Sequence, residues 1–516
     1  MSILGHQDYA REQTFEADVV VVGTGAGGAV IGTELAEAGL NVLFVEEGSY
    51  IPTASFNPYM TESIPRMYRD AGTTAVLGTP NIPYIEGRVL GGTTVINGGM
   101  AYRAPDHILD GWAKSMGDPS LGAAGMDGVF AAVEKNIAAN FQSEASIGDD
   151  NRIMALGAEK LGWKSEINRR NQTDCVGSNN CIFGCPTGAK QSTLVSYLPR
   201  AIRAGARCLT ELRVTSLVIE GGRCVGVVAR TYDPATRKPG RQVTVRGKAV
   251  VIACGAIHTP FLLQKHRLGR PSRQLGKHLL LHPNAKVIAV YPFDTYAWKG
   301  VSQWTQVREF HDEGVLFAEN MIPPSAMAAS LPWHGRENLA LLERYNQMVT
   351  TGVLVEDSTT GVVQRSALGM PVARYDITDG DFDRFVRGVA RLSELHFAMG
   401  AETVLLPYRS HHIAHSMDEV RAVTTANIRK RDIELFTVHL MGTARMGARA
   451  EASVVDLDGE MWDLPGCYVA DASIFPTAIG VNPQMTIMAL ATRIARRMAE
   501  QWPRIAGMTR PSQKAA

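Results

Sequence analysis

The sequence predicts an α/β protein with two or three lobes, and three observations support that fold class. The chain has 516 residues, of which 45% are hydrophobic and 20% are charged. It can therefore bury a large core, and it exceeds the ~100–200 residues of one compact unit. A β-branched run over residues 18–22 is followed at once by a glycine-rich turn and a stretch of helical periodicity. No internal repeat or low-complexity linker divides the chain, which favours interleaved lobes.

Charge and composition narrow the class of partner. Lys and Arg number 52 against 51 Asp and Glu, a net charge of +1, so no net field favours nucleic acid or an anionic membrane. Seven Cys are too few, and odd in number, for a disulfide framework. The 50 Gly and 25 Pro, in an otherwise ordinary composition, fit neither collagen nor disorder. We therefore expect a globular protein with a small-molecule substrate and no nucleic-acid partner.

No targeting or membrane signal is visible in the sequence. Residues 1–12 have no basic region followed by an apolar core, and no run of roughly 18 apolar residues occurs. Neither end carries a lipidation motif. We expect a cytoplasmic protein without a membrane span, and the sequence leaves open a peripheral lipid contact through an apolar loop.

The first strong motif is a GxGxxG pattern at Gly23, Gly25 and Gly28, directly after the β-branched run. Apolar residues at helical spacing follow, and then a second strand over residues 41–45 that ends in Glu46. Gly23 permits the tight turn, Gly25 lets the backbone approach a pyrophosphate, and Gly28 lets the helix pack on the strand. The helix N-terminus would bind the phosphates and Glu46 a ribose diol. This unit predicts a dinucleotide site, and by itself it does not distinguish FAD from NAD.

Two more motifs lie far apart in the chain. The run from Gly87 to Met100 is rich in small residues, which suits close approach of the backbone to a flat ligand. Near the C-terminus, His439 precedes a predicted strand over residues 467–470, and Asn482 precedes a predicted helix over residues 487–500. A lone His beside apolar residues is more often a core residue, so His439 gains its interest from the motifs around it.

These motifs, in this order, resemble the glucose–methanol–choline (GMC) family of flavin oxidoreductases over nearly the whole chain. The run Gly87–Met100 is similar to the family's first signature. The stretch Gly255–Leu263 is similar to its second, although the usual Ser-Gly near its end is His266-Arg267 here. The C-terminal segment resembles the family's catalytic His and its paired His or Asn.

The resemblance implies FAD as the cofactor. Some relatives tether the flavin through a His at the position of Ile96, so we expect FAD to be bound non-covalently here. The asparagine–glycine pair of the first signature would line the isoalloxazine, and the residues after the 467–470 strand would bind the phosphate and ribityl region. The residues implied to bind FAD are Gly23, Gly25, Ala26, Gly28, Glu46, Arg88, Gly92, Thr93, Asn97, Gly98, Val214, Asp471, Ala472, Asn482 and Pro483.

The resemblance also implies a reaction. His439 would take the hydroxyl proton of an alcohol, Asn482 would hydrogen-bond the developing alkoxide, and flavin N5 would take the hydride, giving an aldehyde or ketone. Sugar or glycoside hydroxyls and sterols are alternative substrates within the family, and oxygen or a quinone or other carrier is the electron acceptor. An NAD(P)H-linked reductase would need a second dinucleotide fingerprint, which the sequence lacks. A catalytically silent flavin-binding protein is the non-enzyme alternative, and the oligomeric state stays open.

A loop with Cys175, Cys181 and Cys185 is similar to the GMC branch of long-chain alcohol oxidases and dehydrogenases. This branch favours a primary alcohol of apolar or mixed character. An iron–sulfur or zinc site is the alternative, but the C-x5-C and C-x3-C spacings do not match ferredoxin runs and no fourth ligand is near. We predict no metal and at most one disulfide.

Five other histidines have no predicted role in the site. The cluster at 411, 412 and 415 is predicted to be a solvated loop, and His258 and His282 are predicted to be structural.

The motif positions predict the domain organisation. We expect a discontinuous Rossmann-like FAD-binding domain and a substrate domain of antiparallel sheet plus helices, with a helix over residues 382–399. The FAD-binding domain is predicted to combine three segments, residues 1–110, 186–285 and 439–516, the last of which carries the catalytic His and Asn. Residues 111–185 are predicted to form a lid on the substrate side, and residues 286–438 the substrate-binding domain.

Overall fold

A six-stranded parallel sheet forms one half of the molecule. The computed structural model describes residues 2–10, 12–410, 412–426 and 428–507. Side chains of the central strands are buried on both faces, which explains their unbroken valine-rich sequences. All strand pairs are parallel, in the spatial order Ile3–Leu4, Arg207–Leu209, Val42–Val45, Val19–Val22, Ala249–Ile252 and Cys467–Val469.

Two helices position the nucleotide end of this sheet. Gly28–Glu37 follows the glycine turn, and a β-carbon at Gly28 would collide with the carbonyl oxygen of Gly23. Only glycine therefore lets this helix start so close to the strand. The helix predicted from residue 487 begins at Gln484 and runs to Glu500, with most of its length buried.

An eight-stranded antiparallel sheet forms the other half. The helix predicted over 382–399 is Asp379–Ala398, and its buried side chains, Phe385 among them, pack on one face of this sheet. Seven strands lie in the spatial order Ile413–Ala414, Thr403–Leu405, Asn284–Val290, Met348–Val355, Val315–Glu319, Thr305–Val307 and Ser165–Ile167, and Leu435–Phe436 pairs with Asn284–Val290.

Smaller sheets and further helices connect the two halves. The other strands are Gln13–Glu16, Leu212–Glu220, Arg223–Tyr232 and Pro239–Arg246 in one sheet, Lys277–Leu279, Gly361–Arg365 and Pro371–Arg374 in a second, and the pairs Thr74–Val76 with Ile82–Tyr84 and Ala139–Phe141 with Arg169–Asn171. The other α-helices in the described residues are Met60–Met67, Asp106–Met116, Ala123–Asn136, Asp149–Lys160, Tyr197–Arg203, Gly255–Gln264, Pro324–Ser330, Gly335–Leu342, Met417–Thr425 and Trp502–Gly507.

The predicted fold class is confirmed: strands from well-separated stretches of chain build the Rossmann-like parallel sheet, and a helix-backed antiparallel sheet faces it. The exact domain boundaries stay a prediction. Within the described ranges, no helix is both long enough and apolar enough to cross a bilayer. The predicted solvated loop includes His411, which lies outside the described residues.

Candidate active site

A cavity of about 1310 Å³ lies between the two halves. One wall is made by the carboxyl ends of the parallel strands, where ligands of open α/β sheets bind, and by the first signature. The opposite wall is the open face of the antiparallel sheet, including Ile288 and Phe436. A single ligand pocket has ~300–1,000 Å³, so this cavity has room for a dinucleotide and a substrate together.

At its glycine positions, the glycine turn lines the cavity with main-chain atoms and without side chains. Gly23 has φ 97°, and a β-carbon there would meet the carbonyl oxygen of Ala253. A β-carbon at Gly25 would instead meet nothing within 4 Å, because Gly25 faces open space. The following helix has neither a side-chain cap nor an acidic residue in its first turn. Its N-terminal N–H groups are therefore available to phosphate oxygens.

Glu46 lies at the end of the second parallel strand, as predicted. Its carboxylate accepts hydrogen bonds from the Thr24 amide (3.0 Å), the Thr24 hydroxyl (2.6 Å) and the Gly48 amide (2.8 Å). Burial raises its pKa despite these bonds. A carboxylate has about four acceptor sites, so one remains for a ribose hydroxyl.

Unpartnered polar atoms mark the end of the cavity that the first signature lines. The Asn97 amide donates to the side-chain oxygen of Gln484, and this leaves Asn97 Oδ1 and Gln484 Nε2 buried without a partner. Such orphaned atoms cost free energy until a ligand satisfies them. At the next position, Gly98 packs against the Gln303 side chain so tightly that a β-carbon would collide with it.

Lys190 holds the first signature in place. Its buried ammonium donates to the carbonyl oxygens of Val95 (2.7 Å), Asn97 (2.8 Å) and Cys181 (2.6 Å). Burial lowers the Lys190 pKa to about 8, although its three donors are all satisfied. This one side chain therefore joins the cysteine loop to the first signature.

Asp471 and its neighbours tie two chain segments together at the cavity wall. The Asp471 carboxylate accepts from the Gly255 amide (2.8 Å), the Thr259 hydroxyl (2.5 Å) and the Ser473 amide (2.8 Å). As in Glu46, these bonds use three of the carboxylate's about four acceptor sites, and burial raises the pKa of Asp471. The predicted residues that line the cavity with it are Ala26, Gly92, Thr93, Val214, Ala472 and Pro483.

Two residues predicted to bind FAD lie outside the cavity wall. Gly28 is buried under the glycine turn and acts through helix packing. The Arg88 guanidinium donates to the Tyr232 hydroxyl at 3.1 Å and lies over its ring, with 5.0 Å to the ring centroid. Tyr232 itself lines the cavity, so Arg88 supports the wall from behind.

The predicted catalytic pair meets at the cavity. Asn482 Nδ2 lies 3.2 Å from His439 Nε2, and both side chains line the wall. Burial lowers the His439 pKa to about 4, so the imidazole is neutral at pH 7. Because the amide nitrogen can only donate, Nε2 must be the unprotonated nitrogen that accepts.

His282, predicted to be structural, packs directly on this pair. Its ring meets that of His439 edge to face, with centroids 5.7 Å apart. The Gly480 amide donates to His282 Nε2 at 3.3 Å, and burial, with a smaller effect of His439, lowers the His282 pKa to about 3. His282 therefore supports the His439 ring as a neutral side chain.

The cysteine loop contains free thiols. All seven Cys are unpaired; Cys181 is buried, and Cys175 and Cys185 are partly buried. The described residues contain no group of three or more His, Cys, Asp or Glu that could hold a metal ion.

The histidine cluster differs in part from the expected solvated loop. His415 is exposed, but His412 lines the cavity and packs against Trp333, so the expectation of a solvated loop is wrong for His412.

Four site residues were missed by sequence reasoning: Lys190, His282, Gln303 and Gln484. Gln484 lies two positions after Asn482 at the start of a helix, so local spacing was a usable signal. Lys190 follows the three Cys in the same motif and is a charged residue among small ones, so its sequence context was a weaker signal of a site residue than the position of Gln484. His282 and Gln303 reach the site only through long-range packing, for which the sequence has no local mark.

The residues present fit FAD. A glycine cradle faces open space beside an uncapped helix N-terminus, and orphaned amide atoms lie at the far end of the same cavity. Ile96, at the position where some relatives attach the flavin covalently, has no nucleophilic side-chain atom. Together with the imidazole–amide pair, this site defines a flavin-dependent oxidoreductase.

Comparison with known proteins identifies the family. Models of the N- and C-terminal regions of GMC oxidoreductases match residues 64–284 and 357–491. The chain is 34% identical to an uncharacterized GMC-type oxidoreductase of Sinorhizobium fredii, over 94% of this chain and 95% of the relative. The chain belongs to the GMC oxidoreductase family and binds FAD.

Two further likenesses are more distant. A long-chain-alcohol oxidase of Arabidopsis thaliana is 27% identical, over 94% of this chain and 67% of the relative. The crystal structure of pyridoxine 4-oxidase from Mesorbium loti superposes with a TM-score of 0.71 at 19% identity, covering 94% of this chain and 99% of that one. The second likeness concerns the fold alone.

Proposed function

We propose that the protein oxidises an alcohol to an aldehyde or ketone, with His439 as the base. The observation that carries the proposal is the His439–Asn482 pair, which shares one cavity with the asparagine–glycine pair of the first signature. Alcohol oxidation removes a hydride from the carbinol carbon and a proton from the hydroxyl oxygen. When bound, FAD supplies the acceptor for the hydride.

His439 suits the removal of the proton. Its lowered pKa keeps the imidazole neutral at pH 7, with a lone pair on Nε2 that faces Asn482. A hydroxyl that enters between the two side chains donates to Nε2 and can pass its proton there. The edge-on contact with His282 restricts rotation of the ring.

Asn482 suits stabilisation of the oxygen that loses this proton. Its Nδ2 is a donor and cannot compete with His439 as a base. In the free enzyme it donates to the imidazole at 3.2 Å. With substrate present, the same N–H is positioned to donate to the developing alkoxide, a stabilisation that grows as charge develops.

The cavity favours a primary alcohol of apolar or mixed character. Its substrate side has apolar side chains, and the Arabidopsis relative is named for long-chain alcohols. Sugar or glycoside hydroxyls and sterols remain the alternative substrates, and the electron acceptor is oxygen or a quinone or other carrier. The apolar residues on that side include Ile288, Met321, Ile322, Leu331, Leu405 and Phe436.

Anaerobic flavin reduction tests the proposal. The FAD-loaded protein is mixed with straight-chain alcohols, an aryl alcohol, a sterol, a sugar and NADPH, and bleaching of the flavin is followed. We expect bleaching by at least one alcohol and none by NADPH. Bleaching by NADPH alone would indicate a reductase, and a yellow protein that nothing in the panel bleaches would indicate a silent flavin-binding protein.

A further inference from the structure

Lys286 carries an ammonium group into the substrate side of the cavity. It lies on Asn284–Val290, a central strand of the antiparallel sheet, and lines the cavity wall together with Ile288, which has the same orientation two residues on. Its cross-strand neighbour Gly352 has no side chain of its own, and the side-chain amides of Asn284 and Asn320 lie over that glycine. The sheet thus presents one cation on a largely apolar surface.

This cation has no polar partner in the described part of the chain. No hydrogen-bond acceptor contacts its Nζ and no carboxylate lies within ion-pair distance, and the one described contact is with the Phe436 ring, 5.0 Å from the ring centroid. Burial lowers the Lys286 pKa, an effect that the more distant Glu434 only partly opposes. An unpaired, partly desolvated ammonium costs free energy that an anionic ligand would recover.

Lys190 and Arg409 differ from Lys286 in this respect. The buried Lys190 has three carbonyl acceptors. Arg409, also on the substrate side of the cavity, is exposed, so water solvates its guanidinium. The phosphate-binding turn belongs to the other sheet, so the phosphates of the cofactor are not the partner of Lys286.

We propose that Lys286 binds a carboxylate on the substrate, and that the preferred substrates are hydroxy acids whose hydroxyl lies far from the carboxylate. This inference rests on the proposed alcohol oxidation and names its substrate class. Phe436, which contacts Lys286, precedes His439 by three residues, a span on the order of 10 Å in extended chain. Apolar side chains line this side of the cavity, so a hydrocarbon spacer fits between the two polar ends.

The test compares ω-hydroxyalkanoates with n-alkanols of equal chain length, from four to twelve carbons. Anaerobic flavin reduction at limiting substrate is measured for the wild type, Lys286→Met, Lys286→Arg and the control Arg409→Met. We expect the wild type to prefer the hydroxy acid. Lys286→Met should lose about 10- to 100-fold on the hydroxy acid, as for one charge-assisted hydrogen bond, and stay within about threefold on the alkanol. Lys286→Arg should keep most of the preference, and Arg409→Met should keep all of it.

A binding measurement separates this inference from the proposed function. Decanoate, which has no hydroxyl, should perturb the flavin absorbance of the wild type and of Arg409→Met at lower concentration than that of Lys286→Met. Equal behaviour of the wild type and Lys286→Met toward both substrate series and toward decanoate would overturn the inference and leave alcohol oxidation standing. Decanoate binding that needs Lys286, in a protein whose flavin no alcohol reduces, would overturn the proposed function and the hydroxy-acid substrate class with it, and leave only the carboxylate-binding site at Lys286.

Discussion

The side-chain nitrogen of Asn482 lies 3.2 Å from Nε2 of His439, a contact between two residues 43 positions apart in the chain. His439 follows the short strand Leu435–Phe436 of the antiparallel sheet, whereas Asn482 precedes a helix that packs against Gly28–Glu37, the helix that follows the glycine turn of the parallel sheet. The pair therefore joins the two halves of the molecule at the point where they face each other. Any relative movement of the halves would change this distance.

Replacement of His439 by Ala should slow anaerobic flavin reduction by about 10²- to 10⁴-fold, the usual contribution of a general base. FAD should stay bound, because the glycine turn and Glu46 lie elsewhere in the cavity. His415→Ala, at an exposed His, is the matched control and should leave the rate unchanged. Single-turnover stopped-flow measures the rate after the FAD content has been checked. Reduction of His439→Ala at the wild-type rate would show that another group is the base.

Replacement of Asn482 by Asp should be more harmful than replacement by His. A carboxylate repels the developing alkoxide and removes the N–H donor, whereas an imidazole can still donate. We expect a loss of about 10²-fold or more in the reduction rate for Asp, the scale of one missing oxyanion donor, and a smaller loss for His. Equal rates for Asn482→Asp and the wild type would remove Asn482 from the mechanism.

Replacement of Lys190 by Met should destabilise the protein and weaken FAD binding together. Three buried carbonyl oxygens would lose their donor, at ~1–3 kcal/mol each, so we expect at least ~3 kcal/mol in the free energy of unfolding. Lys160→Met, which removes one exposed bond to the Ala398 carbonyl, should cost under ~1 kcal/mol. Urea unfolding and FAD titration give both quantities, and equal effects of the two variants would contradict the assigned role.

Gly25→Ala should leave the apoprotein stable and weaken FAD binding at least tenfold. Its φ is not in the left-handed region and the new methyl meets no protein atom within 4 Å, but it enters the space that the pyrophosphate would take. Gly111→Ala, in the helix Asp106–Met116, is the control and should stabilise the protein by ~0.5–1 kcal/mol without changing FAD affinity. Unchanged FAD affinity in Gly25→Ala would exclude a close approach at this turn.

The buried His396 should make stability fall in mild acid. Its ring nitrogens contact the Tyr291 and Thr351 hydroxyls, and burial lowers its pKa to about 3. Below pH 6.5 the unfolded chain takes up a proton that the folded protein does not, so stability falls as the pH drops from 6.5 toward 3. At pH 5 this amounts to about 2 kcal/mol.

His396→Gln should be less stable than the wild type at pH 7 but lose about 2 kcal/mol less between pH 7 and pH 5. Denaturant unfolding at the two pH values measures the difference. His415→Gln, at an exposed position, should keep the wild-type pH dependence. An unchanged pH dependence in His396→Gln would mean that His396 is protonated in the folded protein.

The regions of the site that depend on local backbone could be predicted from sequence. The run Val19–Val22 and the glycine turn after it specify a buried strand and a phosphate-sized gap, because β-branched packing and missing β-carbons act within a few residues. The helix after Asn482 was predicted from periodicity, although its first turn, which contains Gln484, was missed.

Contacts between distant segments could not be predicted in this way. The acceptors of Lys190 lie on two loops whose paths bring them to its ammonium group. The Arg88 guanidinium contacts Tyr232 because the tertiary structure places that ring beside it. At the departure His266-Arg267, Arg267 adopts φ 55°, a conformation that favours the usual Gly, and His266 gains a tertiary contact by accepting from the Leu217 amide at 2.9 Å.

The strand order of the parallel sheet has a consequence for synthesis of the protein. Cys467–Val469 is its edge strand beside Ala249–Ile252, so more than 200 residues are made between the two. Until Cys467–Val469 has been made, one edge of Ala249–Ile252 has unpaired backbone N–H and C=O groups, which can pair with other chains. A chain released before that point would have this strand edge unpaired. It would also lack the part of the cavity wall that contains Asp471 and Asn482. The yellow colour of bound FAD should therefore report that synthesis has passed the last strand.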